Sequence, residues 1–126
     1  MSKNLLLIGG VFALIAIALG AFGAHSLQKH LSEHMLDVFK TGANYQLTQS
    51  LGIILVGILL QLNPEIRHFR FAGFLLTGGI VIFSGSLYAY SLTGIQTWAL
   101  ITPLGGLCFM LGWAVFLVGA TKIRAE

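Results

Sequence analysis

Residues 30–34, HLSEH, carry side chains that could bind a metal ion, because they match the H-x-x-E-H pattern of inverted zinc proteases. On a helix, two histidines four residues apart lie on one face and could both ligate zinc. A catalytic site also needs a third ligand. Asp37 follows His34 by only three residues, and Glu65 and Glu126 lie beyond further hydrophobic segments. We therefore favour solvated histidines on a surface helix and predict no catalytic residue and no metal site.

The composition indicates that the lipid bilayer is the solvent of this fold. Of the 126 residues, 56% are hydrophobic and 9% are charged, whereas a soluble domain carries about 25% charged residues. The net charge of +3 is small, and no basic patch with interleaved aromatic residues is present, so no nucleic-acid partner is expected. The single cysteine, Cys108, excludes an intrachain disulfide and is expected to pack as a small apolar residue.

Four segments are long and apolar enough to cross a bilayer, which requires about 20 residues each. They contain no formal charge and comprise residues 5–24, 43–62, 71–92 and 98–120. Pro64 and Gly94 mark the ends of the second and third segments, and the connections are short. Short connections favour antiparallel neighbours, so the sequence predicts one all-α membrane domain, an up-down four-helix bundle.

The distribution of Lys and Arg predicts the orientation of this bundle. Two basic residues, Lys29 and Lys40, lie in the connection between the first and second segments. The other five lie on the opposite side: Lys3, Arg67, Arg70, Lys122 and Arg124. This asymmetry predicts that both termini are cytoplasmic.

The end of the first segment allows two interpretations. Residues 21–23 resemble a signal-peptide cleavage site, but the apolar run is longer than the roughly 7–15 residues of a signal peptide, so we expect it to remain as a span. Apolar residues then recur at helical spacing from Leu27 to Gly42, which predicts an amphipathic interfacial helix over about residues 26–41 with Ser26 as N-cap.

Polar residues gather in the outer half of all four predicted spans. The candidate cluster is His25, Asn44, Tyr45, Gln46, Gln49, Ser84, Ser86, Tyr88 and Thr102. Polar groups within hydrocarbon need partners. Three interpretations remain open: hydrogen bonds between helices, a small pocket for water, a lipid headgroup or a small ligand, and a contact surface for a partner helix.

Close helix packing is expected at small residues and at the proline of the fourth span. Ala16, Gly20 and Ala24 are spaced four apart, which is a helix-packing pattern in membranes. The complete set of candidate packing residues is Ala16, Gly20, Gly23, Ala24, Gly85, Pro103, Gly105 and Gly106.

Four groups of residues, in order along nearly the whole chain, resemble one known family. They are residues 20–25 (GAFGAH), 45–46 (YQ), 83–88 (FSGSLY) with 92–94 (LTG), and 101–106 (ITPLGG) with 112–113 (GW). The chain is similar to the bacterial four-helix domain-of-unknown-function family 423, whose eukaryotic relatives are called transmembrane protein 256. The resemblance implies a small protein of the bacterial inner (plasma) membrane without an established activity. The family pattern usually has His where this chain has Gln49.

Three functions compete at this point. The first is a non-enzymatic membrane protein that stabilises the bilayer or associates with other membrane proteins. The second is a transporter or channel component, or a ligand binder that uses the outer polar pocket; a pore would require several copies. The third is a membrane enzyme that acts on a lipid or quinone through His25 and Tyr45. The expected partners are the lipid bilayer and either a homo-oligomer or a larger membrane complex, and no cofactor is expected.

Overall fold

The computed structural model describes residues 1–124 and contains, over that range, four long helices and no strand. The helices are α1 (Ser2–Leu27), α2 (Glu33–Leu62), α3 (Arg67–Thr93) and α4 (Thr97–Thr121). Each is long and apolar enough to cross a membrane. The prediction of an all-α, four-helix membrane protein is therefore confirmed.

Two of the helices contain one wider turn of π-helix, Leu19–Gly23 in α1 and Ile80–Ser84 in α3. Such turns insert into otherwise regular α-helices without ending them. In α1 the regular helix resumes at Ala24, and in α3 it resumes at Gly85. Each turn therefore changes the rotational position of the residues that follow it, while the helix continues as one element.

Contacts between neighbouring helices run antiparallel. Gly57, late in α2, lies against Leu5, early in α1, and Gly23, late in α1, lies against the ring of Phe39, early in α2. The up-down order therefore gives the bundle two ends. We call the end with the N-terminus and the 63–66 connection the terminal end. We call the end with the 28–32 and 94–96 connections the loop end.

The four helices are not equivalent in their burial. The helix α1 packs mainly on α2, and α4 packs mainly on α3. In the most apolar 18 residues of each helix, 39% are buried in α2 and in α3, but only 17% in α1 and in α4. Consequently α2 and α3 form the centre of the bundle, and α1 and α4 are the outer helices.

The apolar core lies between these helices and is centred on fully buried residues such as Leu5, Phe69 and Leu76. A Cβ atom on Gly73 would lie 2.7 Å from the Leu5 side chain, so the absence of that atom is what lets Leu5 insert between α2 and α3. Because lipid is as apolar as the core, such close packing and hydrogen bonds, rather than burial from water, hold membrane helices together.

The predicted interfacial helix over residues 26–41 is not a separate element. Ser26 lies in the last turn of α1, residues 28–32 form the connection, and α2 begins at Glu33. Ser32 is the N-cap, because its backbone is extended and its Oγ accepts a hydrogen bond from the Met35 N–H at 3.1 Å. Residues 33–41 are therefore the first turns of the second long helix. Gly42 continues this helix, and its missing side chain makes room for Tyr88.

Candidate functional site

Gln46 lies at the centre of a hydrogen-bond network that joins three helices. Its side chain projects from α2 and is only 4% exposed. Its Nε2 donates to the backbone carbonyl of Phe12 in α1 at 2.9 Å, and its Oε1 accepts from the Tyr88 hydroxyl of α3 at 2.7 Å. A backbone carbonyl has two lone pairs, so Phe12 can accept this bond in addition to one within its own helix.

The packing around Gln46 brings Tyr88 within reach. A Cβ atom on Gly42 would lie 2.9 Å from Cε1 of Tyr88, so only glycine lets this ring lie so close to the backbone of α2. The backbone of Gly42 also forms a second bond between α2 and α3, because its carbonyl accepts a hydrogen bond from the Ser84 hydroxyl at 2.7 Å. Ser84 is the last residue of the π turn in α3. Nearby, the Ser50 hydroxyl donates to the Gln46 carbonyl within α2.

A second contact joins α3 to α4. The hydroxyls of Ser86 and Thr102 are hydrogen-bonded to each other, and Ser86 also donates to the Phe83 carbonyl at 2.8 Å. The helices approach closely here, since a Cβ atom on Gly105 would lie 2.6 Å from the Cα atom of Phe83. Two short side chains can therefore reach one another across the interface.

A third contact joins α2 to α4 and includes a residue that was not among the sequence candidates. The indole N–H of Trp113 donates to Oε1 of Gln49 at 2.7 Å. The indole packs over Gly52, whose Cβ atom would lie 2.7 Å from the ring. A buried tryptophan N–H usually has a partner, and this rule is the signal that could have linked Trp113 to the polar residues of α2.

Three of the sequence candidates lie outside this network. His25 and Asn44 are exposed, and they line separate cavities of about 210 and 310 Å³ between α1 and α2. Tyr45 is 44% exposed, and its ring stacks near Phe83 and Phe109, with centroids 4.6 and 6.2 Å away. The helical repeat explains this division, because Asn44, Tyr45 and Thr48 share the outward face of α2 and Gln46 faces inward.

The network is satisfied internally. Within residues 1–124, every buried side-chain nitrogen or oxygen has a hydrogen-bond partner. Gln46, Gln49, Ser84, Ser86, Tyr88 and Thr102 therefore bond to side chains or carbonyls of neighbouring helices. This geometry corresponds to the first of the three interpretations, hydrogen bonding between helices.

An apolar cavity of about 420 Å³ lies beside this network. It opens between α2, α3 and α4, and its lining residues are Tyr45, Phe83, Pro103, Gly106, Leu107, Phe109 and Met110. Since His25 lines a different cavity, the structure does not bring His25 and Tyr45 to a common site.

Some of the candidate packing residues make close helix contacts, and others are exposed. On α1, Ala16 and Ala24 are buried. A Cβ atom on Gly20 would lie 3.7 Å from the Ala43 Cβ, and one on Gly23 would lie 3.4 Å from the Phe39 ring. On α4, Gly105 makes the close contact with the Phe83 backbone described above, and a Cβ atom on Gly106 would lie 3.9 Å from the Phe83 ring. Gly85 and Pro103 are exposed, and a Cβ atom on Gly85 would meet no other atom within 4 Å.

The histidines of the H-x-x-E-H pattern do not share a helical face. His30 lies in the 28–32 connection, whereas His34 lies in the first turn of α2, and both are exposed. The N-cap at Ser32 separates them, so the four-residue helical spacing that zinc binding would use is absent. Among residues 1–124, no three His, Cys, Asp or Glu side chains are grouped so that they could hold a metal ion.

Comparisons with known proteins identify relatives that are membrane proteins. The family described as "Protein of unknown function (DUF423)" matches residues 19–106. The chain is 41% identical over 120 residues to the UPF0382 membrane protein YwdK of Bacillus subtilis (strain 168), covering 95% of this chain and 98% of that protein. It is 37% identical over 125 residues to the UPF0382 inner membrane protein YgdD of Escherichia coli (strain K12), covering 99% and 95%. No solved structure matches the chain.

The family match covers the end of α1, all of α2 and α3 and the start of α4, including Gln46, Ser84 and Tyr88, and the relatives extend over nearly the whole chain. With four membrane-spanning helices and relatives named as membrane proteins across several bacteria, this chain belongs to the DUF423 family of multi-pass membrane proteins.

Proposed function

We propose that this chain is a non-enzymatic protein of the bacterial inner membrane, with both termini cytoplasmic, that acts by lateral association with other membrane proteins, including further copies of itself. One observation carries the proposal: the polar groups inside the bundle are bonded to one another, while the outer helices leave long apolar faces uncovered. Leu14 of α1 is 70% exposed, and Met110 of α4 is 72% exposed.

The small extramembrane mass supports the same proposal. The connections at residues 28–32, 63–66 and 94–96 are only three to five residues long. Many large apolar side chains are exposed on the surface of the helices. Membrane helices associate by close packing, and this uncovered surface is where we propose that a partner helix packs.

Site-specific photo-crosslinking in native membranes tests this proposal. A photoreactive residue would replace Leu14 or Met110 on the outer helices, and Phe74, a 45% exposed residue of the central helix α3, would be the matched control. We expect protein adducts at the two outer positions, identified by mass spectrometry, and few at position 74. Adducts with lipid alone at positions 14 and 110 would contradict the proposal.

Binding of a small ligand is the second candidate function, and the cavity of about 420 Å³ favours it. This volume falls within the usual range of ligand pockets, and Tyr45 brings a hydroxyl to an otherwise apolar lining. An apolar molecule with one hydrogen-bonding group fits this chemistry.

Gly106→Phe would fill the cavity, so small molecules that co-purify with the unmodified chain should be lost from this variant. The control variant Gly85→Ala, which changes a residue on open surface, should retain them. A transporter or channel component, which would require several copies around a pore, is the less favoured form of this alternative.

A further inference from the structure

The terminal end of the bundle contains a basic cavity of about 390 Å³ between the start of α3 and the end of α4. Arg67 and Lys122 line it from the two helices, together with His68, Ile66 and Glu65. Two basic side chains thus face one opening, and one acidic side chain lies beside them. This arrangement has the charge that complements a phosphate group.

Close packing of α4 on α3 brings the two cations to one opening. A Cβ atom on Gly119 would lie 2.8 Å from the Cβ of His68 and 3.1 Å from the Phe69 ring. Glycine therefore lets the last turn of α4 lie directly against the first turn of α3, and Lys122 follows that turn immediately. The cavity is consequently formed where this helix interface meets the 63–66 connection and the residue that follows α4.

The start of α3 adds backbone donors to the same place. Its N-cap residue, Ile66, makes no side-chain capping hydrogen bond, in contrast to Ser32 at the start of α2. The first N–H groups of a helix lack partners within the helix, and the helix dipole favours an anion beside them. The cations and the uncapped helix end therefore attract the same kind of group.

We infer that this cavity binds the phosphate of an anionic phospholipid from the adjacent leaflet. The occupant is a lipid rather than a soluble anion, because the cavity lies at the ends of two helices that are long and apolar enough to cross a bilayer. Basic pockets between transmembrane helices are established headgroup sites in general. In this site Arg67 and Lys122 contact the phosphate, and Glu65 accepts hydrogen bonds from headgroup hydroxyls such as those of phosphatidylglycerol.

Native mass spectrometry of the full-length protein in detergent, titrated with phosphatidylglycerol or with phosphatidylcholine, tests the inference. We expect phosphatidylglycerol to bind more tightly. The double variant Arg67→Gln/Lys122→Gln should weaken its binding about 25-fold, since each surface cation contributes roughly fivefold. The double variant Lys29→Gln/Lys40→Gln, which removes the same charge at the loop end, should change it less than twofold.

Three results would overturn the inference. Two of them are equal binding of the two lipids and an equal loss of phosphatidylglycerol binding in both double variants. The third is displacement of phosphatidylglycerol by an equal concentration of inorganic phosphate, which would assign the site to a free anion. Circular dichroism checks that the variants are folded. Lys122→Gln alone alters an exposed residue beyond the last helix and should still weaken binding about fivefold. The inference does not depend on which proteins the outer helices contact.

Discussion

Replacement of Gln46 by leucine should destabilise the bundle although leucine is the more apolar residue. The substitution removes the bonds to the Phe12 carbonyl and the Tyr88 hydroxyl, both of which join helices. Side-chain hydrogen bonds between membrane helices contribute about 0.6 kcal/mol on average and at most about 1.7 kcal/mol. Loss of two such bonds, with the Tyr88 hydroxyl left without its partner, should lower the free energy of unfolding by about 1–3 kcal/mol.

The free energy of unfolding can be measured by titrating sodium dodecyl sulfate into mixed micelles and following the far-ultraviolet circular dichroism. Leu55→Ile is the matched control, because Leu55 lies on α2 but faces outward, and its replacement should change stability by less than about 0.5 kcal/mol. A double-mutant cycle of Gln46→Leu with Tyr88→Phe isolates the bond between the two side chains and should give a coupling energy of about 0.6–1.7 kcal/mol. A coupling energy near zero, or an equal effect of the Leu55 control, would refute the reasoning.

Three further predictions follow from the contacts of α4 and from the charge distribution. Gly105→Ala should lower the free energy of unfolding by about 1–3 kcal/mol in the same titration, because the new methyl group would meet the Phe83 backbone. Gly85→Ala, in open space, should be tolerated, and equal effects of the two variants would show that α4 is free to shift. Gln49→Leu should move the fluorescence emission of Trp113, measured in a Trp98→Phe background, since it removes the partner of the indole N–H; an unchanged spectrum would contradict this hydrogen bond. A reporter active only in the cytoplasm should be active when fused after Glu126; inactivity there, with activity when it is inserted in the 28–32 connection, would reverse the proposed topology.

The number and type of the helices could be predicted from the sequence, because hydrophobic length alone identifies a span. The first connection could not be placed in the same way. Both Ser26 and Ser32 are suitable N-cap residues, and the apolar spacing from Leu27 to Gly42 fits a surface helix as well as the start of a longer one. The observed cap at Ser32 depends on the hydrogen bond from Met35 and on the continuation of α2 through Gly42, which Tyr88 packs against.

The polar cluster could be predicted only in part, for a different reason. Hydropathy indicates which residues need partners but not which side of a helix faces the bundle. Asn44 and Gln46 have the same chemistry and lie two residues apart, yet only Gln46 is buried. The π turns add to this difficulty, since no residue type marks them and each changes the direction of the side chains that follow.

The polar side chains nevertheless carry information about which helices are central. Residues two apart on a helix differ by about 200° and face nearly opposite directions. In α3, Ser84 bonds to α2 while Ser86 bonds to α4, and both are almost completely buried. A helix at the edge of the bundle would expose one of them to lipid.

The outer helices have the opposite pattern. In α4, Thr102 and Trp113 are eleven residues apart, which places them within about 20° of each other, and this single face bonds to α3 and α2. In α1, the contact with Gln46 uses the backbone carbonyl of Phe12 and no polar side chain. Because apolar residues are acceptable both in the core and in lipid, hydrophobicity cannot separate the two environments in a membrane protein. The number of helix faces whose polar side chains bond to a neighbouring helix can separate them: α3 has two such faces, α4 has one and α1 has none.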